Sequence, residues 1–158
     1  MIYDKVDYSK IEVGTPTKFK DENKYLFPVY YDDSDLVFTL KNKYFIIEGL
    51  KTNAFGKDYI EIKSKELKDI INDIVDKLKI NVFNESFVRV NVNDKTIINK
   101  KGQDLYNSSF KALVSIHIPT YYKDSKKESI QVNAKEIIIT EFIKEGIEYD
   151  IEKLTLAN

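Results

Sequence analysis

The stretch 64-SKELKDIINDIVDKLK-79 decides how the rest of the chain is interpreted. Its apolar residues recur at intervals of three and four, and charged or polar residues fill the other positions, which is typical of an amphipathic α-helix. Ser64 stands at the N-cap position, because its hydroxyl can accept a hydrogen bond from a free N–H of the first turn. The sequence therefore predicts one helix at about residues 64–79, whose apolar face packs on a sheet or plugs the end of a barrel.

Strand-like patterns flank this helix on both sides. They cover residues 25–31, 36–40, 43–50 and 58–63 before it, and residues 87–92, 95–98, 113–118 and 130–142 after it. Lys41 and Asn42 separate two of these patterns and are predicted to form a two-residue hairpin loop, because asparagine tolerates a positive φ. An all-parallel sheet needs a helix between most strands, so this order of elements excludes one.

The order of strands, helix and further strands predicts a mainly β fold. The economical arrangement is an OB-like Greek-key antiparallel barrel with one amphipathic helix at about residues 64–79 and with extra strands. A β-sandwich or jelly roll with the helix as an insertion is the alternative. The length of 158 residues suits a single domain over residues 1–158. We expect its core at about residues 20–143 and an acidic C-terminal segment at residues 144–158.

Composition narrows the chemistry that the chain can perform. With 42% hydrophobic and 13% aromatic residues it can bury a core. Without cysteine there is no disulfide, no thiolate nucleophile and no cysteine-based metal site. The single histidine, His117, lies in a strand pattern and is interpreted as a half-exposed structural residue. The sequence contains neither a glycine-rich phosphate-binding motif nor G-x-S-x-G, so we expect no enzyme activity, no catalytic residues, no metal and no cofactor.

The setting follows from the same composition. No apolar run approaches the roughly 20 residues of a membrane span, and the N-terminus does not resemble a signal peptide. We therefore expect an intracellular, cytoplasmic protein without a membrane partner.

Charge is distributed unevenly although the formal net charge is only −1. Seven lysines against two acids make residues 95–127 basic, and residues 128–158 are acidic. The basic part contains a predicted loop at residues 120–127. Aromatic rings stack on unpaired bases and lysines neutralise phosphates, so this loop suits single-stranded nucleic acid. A solvated loop whose tyrosines cover the barrel edge is an equal alternative. The loop contributes Tyr121, Tyr122, Lys123, Lys126 and Lys127 to the predicted site.

A second group of aromatic and basic residues supports the same interpretation. Phe38 and Phe55 are assigned to the core, whereas Tyr44 and Tyr59 suit either a core or a binding role, because tyrosine combines an apolar body with a polar tip. The further residues of the predicted nucleic-acid site are Lys41, Lys43, Tyr44, Lys57, Tyr59, Arg89, Lys100, Lys101 and Lys111.

This layout resembles the OB-fold single-stranded DNA-binding proteins of large DNA viruses, phages and cytoplasmic linear plasmids. The likeness covers about residues 20–143: a strand-rich front, the helix at 64–79, the strand at 113–118, the basic-aromatic loop, and the strand at 130–142. It implies sequence-tolerant binding of replicating single strands and an acidic C-terminal segment that contacts replication proteins. The chain departs from the family in lacking tryptophan and in the lysines that interrupt its acidic end, Lys144 and Lys153.

These observations favour a protein that binds single-stranded DNA, with RNA left open as a ligand, in viral or plasmid DNA replication. The alternative is a structural or assembly protein of the virion type that does not bind nucleic acid. A homo-oligomer is compatible with either function.

Overall fold

A computed structural model of the chain describes residues 2–3, 5–18, 23–41, 43–78, 87–100, 104–125 and 128–143. Its helix, α1, spans Lys65–Lys77, so the predicted helix is confirmed. The Ser64 Oγ accepts a hydrogen bond from the Leu67 N–H at 3.2 Å, as expected of an N-cap. The apolar face packs into the core with Leu67, Ile70, Ile71, Ile74 and Val75 buried.

A short 3₁₀ turn, Tyr8–Lys10, lies against this helix. Burial, together with the nearby carboxylate of Asp73 on α1, raises the pKa of Tyr8 to about 12. The 3₁₀ turn is thereby packed against α1.

The N-cap makes a small but measurable contribution to stability. Replacing Ser64 with alanine leaves a first-turn N–H without its side-chain acceptor, so we expect the free energy of unfolding to fall by about 1 kcal/mol. Urea denaturation followed by circular dichroism measures the change. Ser64→Asp is the matched control, because aspartate is an equally good N-cap. An equal loss in both variants would contradict the capping role.

The described residues form fifteen strands in two sheets. The strands are β1 Ile2–Tyr3, β2 Ile11–Val13, β3 Thr17–Lys18, β4 Tyr25–Tyr31, β5 Ser34–Asp35, β6 Val37–Thr39, β7 Phe45–Ile47, β8 Lys51–Thr52, β9 Asp58–Ile62, β10 Val88–Val92, β11 Ile97–Ile98, β12 Ser109–His117, β13 Thr120–Lys123, β14 Glu128–Ile130 and β15 Asn133–Ile143.

The larger sheet is organised around one long antiparallel pair, β12 with β15. The order β1-β6-β12-β15-β10-β9-β8 runs across it, with β7 also paired to β12 and β11 to β15. Most pairs are antiparallel, whereas β1–β6, β10–β15 and β11–β15 are parallel. The prediction of a mainly β protein with one helix is confirmed.

The strands on either side of Lys41 do not form the predicted hairpin, and that prediction is wrong. β6 and β7 both pair antiparallel with β12, through Val37↔His117 and Phe45↔Ala112. They therefore run in the same direction, as one interrupted strand along a nine-residue partner. Leu40 is buried at the interruption, and this burial favours a local excursion of the chain over a reversal. Asn42 lies outside the described residues.

The smaller sheet contains the order β14-β13-β4-β2, with β3 and β5 also paired to β4. A tight turn joins β4 to β5, with positive φ at Asp32 (50°) and Asp33 (64°), which aspartate tolerates better than most residues. The prediction of a loop beginning at residue 120 is wrong. β13 and β14 form an antiparallel hairpin there, with Tyr121 opposite Ile130.

One continuous core joins the two sheets and the helix. It includes Val6 and Ile11 from the first part of the chain. β7 and β9 also approach each other, but no pairing between them is present among the described strands. The larger sheet is thus barrel-like or sandwich-like, without a hydrogen-bonded closure in the described part of the chain.

Candidate nucleic-acid interface

A groove lies between the β7 segment, the ends of β8 and β9, and the start of α1. Its volume is about 790 Å³, and all its lining residues lie between residues 43 and 69. Its lining residues are Lys43, Tyr44, Phe45, Ile46, Glu48, Gly49, Lys51, Glu61, Lys63, Ser64, Lys65, Glu66 and Asp69. The groove therefore brings Lys43 and Tyr44 of the predicted site beside the strands that carry Tyr59.

A lysine–tyrosine pair lies beside this groove. The Lys111 Nζ lies 5.3 Å from the centre of the Tyr44 ring, within the range of a cation–π contact. Lys111 also approaches the Glu141 carboxylate at 3.9 Å. Because β7 and β12 pair with Ile46 opposite Lys111, the half-exposed Tyr44 ring lies beside the lysine, with part of its surface open to solvent.

An arginine–tyrosine pair lies on the neighbouring strands β9 and β10. The guanidinium of Arg89 lies 4.8 Å from the centre of the Tyr59 ring and 5.9 Å from that of Phe87. Register places Lys51 opposite Tyr59 in the same sheet. Tyr59 and Arg89 alternate with buried residues of β9 and β10, so both side chains lie on the face away from the core.

We call this surface the aromatic–basic face and define it by Tyr44, Lys51, Tyr59, Arg89 and Lys111. Tyr44 and Lys51 line the groove, whereas Tyr59, Arg89 and Lys111 are not among its lining residues. It is assembled from β8, β9, β10, β12 and the residues before β7. The sequence predicted four of these five residues as part of the site but not Lys51. Apart from its charge, nothing in the strand pattern before Asn53 indicates a binding role for Lys51.

Carboxylates accompany the lysines of the groove. The Lys51 Nζ donates to the Glu61 Oε2 at 3.0 Å, and this hydrogen bond raises the pKa of Lys51. Two further ion pairs in the groove are longer and more exposed: Lys43 with Glu66 at 3.9 Å and Lys65 with Asp69 at 3.3 Å. Exposed pairs of this kind contribute little stability. Little stability is therefore lost when Lys43 or Lys65 exchanges its carboxylate for another anionic partner.

The two phenylalanines that were predicted to lie in the core differ in their exposure to solvent. Phe38 is 1% exposed, which confirms its assignment to the core. Phe55 is 86% exposed at the β8–β9 turn, so its assignment to the core is wrong. Its neighbour Lys57 is also exposed. The reason is local: Asn53 and Gly56 form a tight turn that places residue 55 at its tip.

Tyr121 does not lie in an exposed loop, and that prediction is wrong. It is 8% exposed on β13 and packs against Phe27, with ring centres 5.2 Å apart. Burial raises the pKa of its hydroxyl, with a smaller contribution from Glu128. A base has no access to a ring packed in this way.

Tyr122 and Lys123 of the predicted loop lie on the smaller sheet and do not line the groove. The Tyr122 hydroxyl donates to the Asp124 Oδ2 at 2.8 Å, and Lys123 approaches Glu128 at 3.7 Å. Lys41 and Lys100 are exposed but are not among the described residues that line the groove. Lys101, Lys126, Lys127 and the acidic segment at 144–158 lie outside the described residues.

The remaining features concern metal ligands, the single histidine and membrane crossing in the part of the chain that the structure describes. No group of three or more histidine, aspartate or glutamate side chains is placed there to hold a metal ion. His117 is half-buried, as expected, and burial lowers its pKa. No described helix has both the length and the apolar character needed to cross a membrane.

Comparison with known proteins finds one named plasmid protein that is similar over nearly the whole chain. It is 38% identical over 160 residues to the "Uncharacterized killer plasmid pGKl-2 protein 5" of Kluyveromyces lactis, covering 99% of both chains. The coarser part of the likeness to plasmid proteins is thereby confirmed, although that name assigns no ligand. No solved structure is detectably similar. A model of a family of unknown function, DUF5482, matches residues 1–158, and the chain belongs to that family.

Proposed function

We propose that this protein binds single-stranded nucleic acid, without strong sequence preference, along the aromatic–basic face. One observation carries the proposal: two tyrosines, each with a cation near its ring, lie on segments that border one groove, since Tyr44 lines it and Tyr59 lies on β9 two residues before the lining residue Glu61. Tyrosine rings offer stacking surfaces for unpaired bases, and the neighbouring Arg89 and Lys111 offer positive charge to phosphates.

The surface suits a single strand better than a duplex. Duplex reading relies on side chains that reach into the major groove, commonly from a helix or β-ribbon. The aromatic–basic face instead consists of flat rings on a sheet, which match the exposed faces of unpaired bases. Its single arginine, Arg89, is held against two rings, and this leaves its guanidinium edge available to a phosphate oxygen.

The cellular role that we propose is DNA replication of a plasmid. The similar Kluyveromyces lactis protein is named as a killer plasmid protein, and a replicating plasmid exposes single strands. Within this proposal, the larger sheet serves as an OB-like binding platform, and the acidic segment at 144–158 serves as a contact for replication proteins. The basic side chains of the face, rather than the net charge of −1, would attract the strand.

Salt dependence tests the proposal directly. If Lys43, Lys51, Arg89 and Lys111 each neutralise one phosphate, the logarithm of the binding constant should fall with the logarithm of salt with a slope of about −3. Affinity for an oligo-dT should therefore fall about 50-fold between 50 and 200 mM salt, measured by fluorescence anisotropy. Absence of binding at 50 mM salt would overturn the proposal.

A second candidate function, assembly without nucleic acid, has one observation in its favour. Ile46, Ile97 and Ile138 are 56%, 58% and 37% exposed, all on the larger sheet. Exposed apolar side chains on a sheet face are suited to a protein partner, including a second copy. A stable oligomer in light scattering, together with no oligo-dT binding at low salt, would favour this candidate.

A further inference from the structure

Phe55 is the most exposed of the large hydrophobic residues in the described part of the chain, at 86%. A phenylalanine side chain normally buries its large apolar surface in a core or an interface. It stands at the tip of the turn between β8 and β9, which carry Lys51 and Tyr59 of the aromatic–basic face. The turn therefore extends that face by one aromatic ring.

The turn that holds Phe55 is built by specific hydrogen bonds. The Asn53 Oδ1 accepts from the backbone N–H groups of Phe55 (2.9 Å) and Lys57 (3.0 Å). The Gly56 N–H donates to the Asn53 carbonyl at 3.0 Å, and Gly56 has a φ of 78°, which suits glycine. These contacts fix the backbone on both sides of the ring.

The base of the turn is fixed as well. One oxygen of the Asp58 carboxylate accepts from the Thr52 hydroxyl at 2.9 Å, and the other accepts from the Tyr106 hydroxyl at 2.6 Å. The bond to Asp58 raises the pKa of Tyr106. Because the turn is ordered before any ligand arrives, a ring at its tip loses little conformational freedom on binding.

We infer that Phe55 stacks on an unpaired base at the edge of the aromatic–basic face and so gives the protein its preference for single strands over duplex. The inference rests on the proposed function and adds the residue that discriminates. A duplex covers the base faces by stacking them on one another, whereas a single strand exposes them. Lys57, exposed beside the ring, supplies charge to the adjoining phosphate. Positive charge attracts both single-stranded and duplex nucleic acid, but the ring stabilises only the complex with unpaired bases.

The first test removes the ring. Phe55→Ala should weaken oligo-dT binding by about 5-fold to 150-fold and leave the weaker, charge-driven binding to duplex unchanged. It should also have no effect on binding to an oligomer of the same length whose sugars carry no bases. Tyr30→Ala, an exposed tyrosine on the smaller sheet, is the control and should leave all three affinities unchanged. Equal losses for all three ligands, or no loss, would overturn the inference.

The second test places a reporter at the tip. The chain contains no tryptophan, so Phe55→Trp introduces a single one, whose emission should be quenched when oligo-dT stacks on it. Tyr30→Trp provides the matched reporter on the smaller sheet and should not respond. If anisotropy shows binding while the Phe55→Trp emission stays constant, the inference fails and the proposed function stands. If no oligonucleotide binds at low salt, both fail together.

Discussion

Replacing Tyr44 and Tyr59 together with alanine is expected to weaken binding of a single-stranded oligonucleotide by about 30-fold or more. Each ring is proposed to stack on one base, and each such contact contributes about 1–3 kcal/mol. The rings lie in different segments, before β7 and on β9, and have different cation partners, Lys111 and Arg89. We therefore expect their losses to add. Anisotropy with a labelled oligo-dT at 50 mM salt measures the change.

The matched control is the double replacement Tyr25→Ala and Tyr30→Ala. Both tyrosines lie on β4 of the smaller sheet, and Tyr25 also has a cation near its ring, the Lys18 Nζ at 6.0 Å. This variant removes the same number of tyrosines and disturbs a similar contact away from the groove. If both double variants bind equally well, the aromatic–basic face is not the binding surface. Thermal melting of each variant separates lost binding from lost folding.

The sequence predicts the helix well because its determinants are local. The 3.6-residue period and the N-cap at Ser64 lie within sixteen consecutive residues, and the structure begins the helix at Lys65. Most strands follow for the same reason, since alternation over five or six residues is a local property. β9 and β10 both lie where the alternation indicates.

Pairing is less predictable because it depends on residues far away in sequence. The segment around Lys41 reads as a hairpin loop, yet β6 and β7 both use β12, about seventy residues later, as their partner. The sequence between residues 36 and 50 does not indicate that a strand as long as β12 is available to pair with both segments. The short turn pattern at Lys41 therefore does not produce a hairpin, because one longer strand pairs with both segments.

The candidate site shows the same division between local and distant information. Arg89, Tyr59, Tyr44 and Lys111 are named from sequence, but their meeting requires the register of the larger sheet. Exposure of aromatic residues is the harder prediction. Tyr121 lies in a polar stretch and is buried by Phe27, whereas the apolar Phe55 is exposed. The turn residues Asn53 and Gly56 contain the signal for Phe55, since a side chain at the tip of a tight turn has little around it.

The difference between buried and exposed phenylalanines leads to the largest expected change in stability. Phe110 is completely buried on β12 and meets Phe142 edge to face, with ring centres 6.2 Å apart. Phe110→Ala should lower the free energy of unfolding by about 3–5 kcal/mol, because the cavity left by the ring adds to the lost burial. For a chain of this size the melting temperature should fall by about 6–20 °C. Calorimetry or a circular dichroism melt measures the shift.

Phe55→Ala is the matched control for this change, because it removes the same ring from a site that is 86% exposed. Its free energy of unfolding should stay within about 0.5 kcal/mol of the original value. Equal destabilisation by the two replacements would mean that Phe55 is packed and would also undermine its role as a stacking residue. The two variants together therefore test whether Phe110 is buried, as the core requires, and whether Phe55 is exposed, as its proposed stacking role requires.

The Phe110 variant also tests how the core supports the aromatic–basic face. Phe110 stands opposite Ile47 in the β7–β12 pairing, which holds Tyr44 beside Lys111. Well below its lowered melting temperature, the variant retains every side chain of the face and should bind oligo-dT with nearly unchanged affinity. A loss of affinity in the folded variant would mean that the cavity lets β7 shift. The geometry of the Tyr44–Lys111 pair, rather than the mere presence of those residues, would then determine binding.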